Sequence, residues 1–263
     1  MSQLKSLTTL NIENIGYSFN SLSFLSGLTE LNALNIGNNY GINDLSALSQ
    51  LTKLEKLNLS NLNITDYSPI NSLSKLQTLH LDNQNYYSNT ALDLDNFKLL
   101  TELTELNINN IRNIENISAL STFTKLESLH ASNINTATIA FVNKLPNLKV
   151  LDISDNSRLG DISPLENLTQ LEELNINNNT NLDDISSLGE LTQLTKLSLS
   201  NLYYGQTISL SPLTNLIALE ELKINNNNLS NLSALEDLSQ LKTLQMQSAQ
   251  LDELFNFTNL TSL

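Results

Sequence analysis

Along the whole chain, aliphatic residues recur in the pattern L-x-x-L-x-L. The pattern matches at 7–12, 31–36, 54–59, 76–81, 103–108, 126–131, 148–153, 171–176, 194–199, 219–224 and 241–246. Its central Leu recurs at intervals of 24, 23, 22, 27, 23, 22, 23, 23, 25 and 22 residues. Eleven in-phase matches define a repeat rather than a coincidence. Alternation over L-x-L predicts a short strand with one buried face in each match. One repeat cannot cover its own Leu side chains, but stacked neighbours bury a continuous core. With parallel strands about 4.8 Å apart, such a sheet would run about 50 Å along its axis.

Polar residues punctuate the return. Seven repeats place Ser at one aligned position, Ser46, Ser68, Ser118, Ser163, Ser186, Ser211 and Ser233. Pro follows at 69, 164 and 212, and Glu stands three residues after Ser at 166 and 236. Ser as N-cap with Pro or Glu behind it predicts a brief helical turn in each repeat.

The hexads, and above all "DNSRLGDISPLENLTQLEELNI" (155–176), resemble the short leucine-rich repeat of the internalin-type bacterial surface proteins. The same repeat class occurs in an intracellular regulatory subunit of a protein phosphatase. The resemblance covers essentially the whole chain. It implies an α/β repeat solenoid, a leucine-rich-repeat horseshoe. Eleven short parallel strands would line its concave face, and short helical turns or 3-10 segments its convex face. Residues 1–263 are expected to form a single leucine-rich-repeat domain. Leu263 aligns with Leu241, so a twelfth repeat and a longer chain are expected.

Asn accounts for 41 of the 263 residues, and the register separates their roles. Numbered from the first Leu, position 9 points inward and is usually Asn in the family. Here Asn holds it only at 39, 156, 179 and 227, while Ile or Leu takes it at 15, 62, 111, 134 and 202. Position 8 is Asn at 14, 38, 61, 83, 110, 133, 178, 201 and 226. Buried unpaired backbone groups cost about 1–3 kcal/mol each. Either Asn at position 8 therefore supplies the missing partners or the turns differ, and mixed turn geometries are expected. In "KINNNNL" (223–229) the expectation is Asn227 inward and Asn228 in a turn.

Positions 3, 5 and 7 face the concave solvent, the usual binding surface of a curved solenoid. The candidates there are Lys56, His80, Glu105, Asn107, His130, Asp152, Glu173, Asn175, Lys196, Glu221 and Lys223. None of the three columns holds an aromatic residue, although tight interfaces are usually anchored by Trp, Tyr or Arg. Two long repeats supply aromatics instead, with Tyr86-Tyr87 and Tyr203-Tyr204 just past a strand. Insertions map to one rim of a solenoid, which makes these pairs further partner-binding candidates. The competing expectation is that one Tyr of each pair covers a locally widened core.

His80 and His130 occupy the same column two repeats apart, so their backbones would lie about 10 Å from each other. That spacing disfavours a shared metal, and two exposed histidines are expected. Asp44 with Asp66, and Asp161 with Asp183 and Asp184, would approach one another in adjacent repeats. Each is expected to cap its own turn rather than hold Ca²⁺. No catalytic residue, metal or cofactor is expected.

A formal charge of −14 leaves no basic face for nucleic acid. Neither a spanning segment nor a signal-peptide apolar region appears, and zero Cys removes disulfides without fixing the compartment. The expected function is non-enzymatic recognition of a protein or glycan by a microbial cell-surface or secreted protein. The alternatives are a cytoplasmic regulatory scaffold like the phosphatase subunit, or a passive spacer.

Overall fold

The computed structural model describes residues 4–83, 91–202, 205, 207–247 and 260–261. Its principal sheet has eleven parallel strands in chain order, one per repeat, each spanning positions 3 to 5. The alternation predicted from L-x-L is thus realised three residues at a time. The chain divides into two compact units, residues 1–129 and 130–263.

In residues 1–129 the strands Thr9–Asn11, Ala33–Asn35, Lys56–Asn58, Thr78–His80 and Glu105–Asn107 pair without a slip. Leu10, Leu34, Leu57, Leu79 and Leu106 lie side by side in register. The return segments are 3-10 turns at Ser23–Gly27, Ser46–Gln50, Ser68–Ser72, Leu94–Phe97 and Ile117–Thr122. Each contributes a fully buried aliphatic residue (Leu25, Leu48, Ile70, Leu94, Leu120) to the core. The longest repeat adds a small parallel ladder of Leu92–Asp93 with Ile114–Glu115. Buried Phe97 packs edge-on against Tyr67 at 5.1 Å between centroids.

In residues 130–263 the strands Val150–Asp152, Glu173–Asn175, Lys196–Ser198, Glu221–Lys223 and Thr243–Gln245 repeat this plan. Leu151, Leu174, Leu197, Leu222 and Leu244 are in register. Turns at Ala140–Lys144, Ser163–Asn167, Ser186–Glu190, Ser211–Asn215 and Leu232–Leu235 close the repeats. Asn228 does not lie in a turn, contrary to expectation. It opens a second strand, Asn228–Ser230, paired with Thr207–Ser209.

The strand-to-return turn has one geometry, not the expected mixture. Position 8 is left-handed in all ten described repeats, with φ between 54° and 61° at Asn14, Asn38, Asn61, Asn83, Asn110, Asn133, Asp155, Asn178, Asn201 and Asn226. Asn and Asp tolerate that region because their short polar side chains bond locally. Asn116, Asn135 and Asn231 are left-handed as well, so a backbone requirement accounts for twelve of the asparagines.

The orphaned groups find partners through position 9. Asn39 Oδ1 accepts the N–H of Ile15, Asn156 that of Ile134, and Asn227 that of Leu202, at 2.8 to 3.0 Å. Each Nδ2 donates to carbonyls of its own and the preceding repeat, such as Ile36 and Ile12 for Asn39. Three of the aliphatic position-9 residues therefore sit one repeat before an Asn that serves both.

The serines do not cap their turns. Ser46, Ser68, Ser163, Ser186 and Ser211 are the first residues inside them, with no side-chain cap bond; Ser118 and Ser233 lie one residue further in. The acceptor stands two residues earlier. Asp44, Asp66, Asp161 and Asp184 take the N–H of Ser46, Ser68, Ser163 and Ser186 at 2.8 to 2.9 Å. A carboxylate is the stronger acceptor, which is why it displaces the hydroxyl. In the turns opening at Ser23 and Ser211, which lack it, Ser21 and Ser209 accept the N–H of Ser23 and Ser211 at 3.3 Å.

Candidate functional site

Much of the position-5 column is committed to its own backbone. The Oδ1 of Asn11, Asn35, Asn58, Asn107, Asp152 and Asn175 accepts the N–H two residues on, at 2.8 to 3.2 Å. Among the candidates, Asn107 and Asn175 therefore offer a ligand their amide Nδ2 more readily than their oxygen. Where position 5 does not accept, as at Ser198 and Lys223, the N–H turns to the preceding repeat. Ser200 N donates to Asn177 Oδ1 at 2.6 Å, and Asn225 N to Ser200 Oγ at 3.0 Å. That exchange leaves position 5 free to carry Lys223.

The outcome in residues 130–263 is a charged run across three strands. Register pairs Glu173 with Lys196 and Lys196 with Glu221. Lys196 Nζ lies 2.6 Å from Glu173 Oε1, and Lys223 Nζ 2.6 Å from Glu221 Oε1. The bond from Glu173, with the Glu173, Glu221 and Glu220 charges, raises the Lys196 pKa and keeps it cationic. These four side chains, with His130 and Asp152, line a shallow hollow of about 280 Å³. Exposed ion pairs add little to stability, so stability gives little reason for the run.

In residues 1–129 the same face carries His80, whose Nε2 lies 2.9 Å from Glu105 Oε1 in the next strand. Thr78 Oγ1 donates to Glu105 Oε2 at 3.4 Å, so the preceding strand engages both oxygens of that carboxylate. Lys56 is exposed and lines, with His80, a hollow of about 320 Å³. Among the described residues no group of three His, Cys, Asp or Glu could hold a metal ion. Bonds from the adjacent serine lower the carboxyl pKa of Asp44, Asp66 and Asp161, as expected of turn caps.

Tyr86, Tyr87, Tyr203 and Tyr204 lie outside the described residues. An aromatic pair that the column search passed over is Tyr17 and Tyr40, both exposed and stacked with centroids 5.2 Å apart. Both stand past position 9, just beyond the columns searched. The cue in sequence was their near-equivalent placing in consecutive repeats, at positions 11 and 10.

A family model for leucine-rich repeats in two copies matches residues 124–167 and 146–190. An internalin (InlF) of Listeria monocytogenes is similar at 27% identity and TM-score 0.79, over 99% of this chain and 81% of that one. A leucine-rich-repeat protein of Leptospira interrogans shares the fold at 22% identity and TM-score 0.57, over 94% of this chain and 74% of that one. So does a plant receptor-kinase ectodomain from Arabidopsis thaliana, in complex with CASPARIAN STRIP INTEGRITY FACTOR 2. It matches at 19% identity and TM-score 0.60, over 100% of this chain and 38% of that one. Among curated proteins, no sequence match was found. The fold is that of a protein–protein interaction module. The chain is a leucine-rich-repeat protein of the internalin-like kind.

Proposed function

We propose that the chain is a non-enzymatic recognition module of a microbial cell-surface or secreted protein, holding a protein ligand on the solvent face of its strands. The observation that carries this is the run Glu173, Lys196, Glu221 and Lys223, a fixed alternation of sign over a shallow hollow. Alternating charges select a complementary charged surface and set its register. They favour a protein over a glycan as ligand. With no aromatic anchor in these columns, contacts are polar and affinity is modest. The likeness to a Listeria internalin supports the microbial setting. Among the described residues no helix is long and apolar enough to cross a membrane. His130, Asp152 and Asn175 extend the contact region, and Lys56, His80, Glu105 and Asn107 form its counterpart in residues 1–129. The Tyr86-Tyr87 and Tyr203-Tyr204 insertions are a second proposed contact region.

The test is charge reversal. Lys196→Glu with Lys223→Glu should weaken a partner bound by the intact chain at least tenfold while the circular dichroism spectrum stays that of the folded chain. Unchanged affinity, or capture of a glycan with the same affinity by both proteins, would reject this reading.

A further inference from the structure

A second built feature lies in residues 1–129, at the edge strand Thr9–Asn11. Glu13, at position 7 of the first repeat, is gripped by two amides of the next repeat. Asn38 Nδ2 donates to Glu13 Oε1 at 2.6 Å and Asn35 Nδ2 to Oε2 at 2.9 Å. The Asn35 amide is oriented by accepting the N–H of Gly37 at 3.0 Å, and the Asn38 backbone is set on the left-handed turn at φ 60°. A Cβ at position 37 would meet Asn35 Oδ1 at 3.3 Å and Asn58 Oδ1 at 3.2 Å, so glycine gives the amides their room.

The carboxylate thus has a fixed aim, and each oxygen has spent one of its two acceptor directions. Glu13 lines a hollow of about 590 Å³ with Ile15, Asn38 and Tyr40, and its charge is the only formal one in that lining. Tyr40 stacks on Tyr17, and the loops bearing them approach so closely that a Cβ on Gly41 would meet the Tyr17 carbonyl oxygen at 2.6 Å. Ile15 is 57% exposed there, although its position-9 counterparts Ile111, Ile134 and Leu202 are buried.

An oriented carboxylate beside exposed tyrosine faces is complementary to a planar cation. The amides stabilise the negative charge without cancelling it, and the rings attract a cation through their quadrupoles. Guanidinium fits better than ammonium, because two parallel N–H groups match the two unused carboxylate directions and its plane stacks on a ring. We propose that Glu13 and Tyr40, its ring backed by Tyr17, form a pocket for an arginine side chain of a protein partner. This site is independent of the charged run in residues 130–263, and its fate does not decide that reading.

The probe is N-acetyl-arginine-amide, with the citrulline analogue as its neutral isostere, titrated into the ¹⁵N-labelled chain. The arginine compound should shift the Asn35 and Asn38 side-chain amides and the Ile15 and Tyr40 backbone signals. The citrulline compound should bind at least tenfold more weakly. Glu13→Gln, which keeps an acceptor oxygen but removes the charge, should lose binding at least tenfold, and Tyr40→Ala about fivefold. Glu30→Gln, a surface carboxylate elsewhere in the same unit, should bind as the parent does. The proposal fails if citrulline binds equally, if Glu13→Gln binds unchanged, or if shifts spread evenly over the acidic surface.

Discussion

Asn156 Oδ1 accepts the backbone N–H of Ile134, one repeat upstream, at 3.0 Å, and that of Thr136 at 3.3 Å. Its Nδ2 serves the carbonyls of Ala131, Ile153 and Ser154 at 3.0 to 3.2 Å. One fully buried side chain therefore satisfies backbone groups in two repeats. Asn156→Ala should cost about 3–5 kcal/mol, since each buried group left unpaired costs about 1–3 kcal/mol. Urea titration followed by circular dichroism measures it; a loss below about 1 kcal/mol would show that water replaces the amide.

At Asn61, in position 8, the backbone sets the requirement. Asn61 has φ 57° and donates its own N–H to the Asp82 carbonyl at 3.0 Å. Asn61→Gly should change stability by less than about 0.5 kcal/mol, because glycine adopts this region freely. Asn61→Val should cost at least about 1–2 kcal/mol through its Cβ and branching. Equal effects in the two variants would remove the conformational explanation.

Those two positions show how far the pattern of residues carried. Leucine spacing placed all eleven strands of the principal sheet, because burial of positions 4 and 6 leaves one register, but not the two small ladders of Leu92–Asp93 with Ile114–Glu115 and Thr207–Ser209 with Asn228–Ser230. The Asn at position 9 was read correctly as inward, but its reach into the preceding repeat is a distance, which spacing does not contain. Spacing could not separate a hydrogen-bonding role at position 8 from mixed turns; Asn there meets a single φ requirement, and at 178, 201 and 226 its amide also bonds along the column. Both serine and the Asp two residues earlier were legible as caps, and the carboxylates at 44, 66, 161 and 184 hold that role while the serines supply the N–H. In the candidate site, the column holding Glu173, Lys196 and Glu221 was legible. The self-bonding of Asn107, Asp152 and Asn175 was not, because it depends on side-chain rotamers.

The capping carboxylates give an acid dependence with a definite sign. Bonds in the folded state lower the pKa of Asp44, Asp66 and Asp161 below the ordinary 3.8. Their stabilisation is complete above that value and is lost as pH falls through the lowered folded pKa. Asp44→Asn, Asp66→Asn and Asp161→Asn together keep an acceptor but do not titrate. The triple variant should flatten the fall in melting temperature below about pH 4. An acid limb identical to the parent's would assign the dependence to other groups.

Leu174 is 2% exposed and sits in register between Leu151 and Leu197. Leu174→Ala should cost about 2–5 kcal/mol as a core truncation with a residual cavity. A neutral result by denaturant titration would break the register on which the site rests.

The central claim is that a ligand lies across the strands of residues 130–263, and hydrogen exchange with and without a bound partner tests it most directly. Backbone amides at 150–152, 173–175, 196–198 and 221–223 should gain protection in the complex. Protection confined to the return turns at 163–167, 186–190 and 211–215 would contradict it.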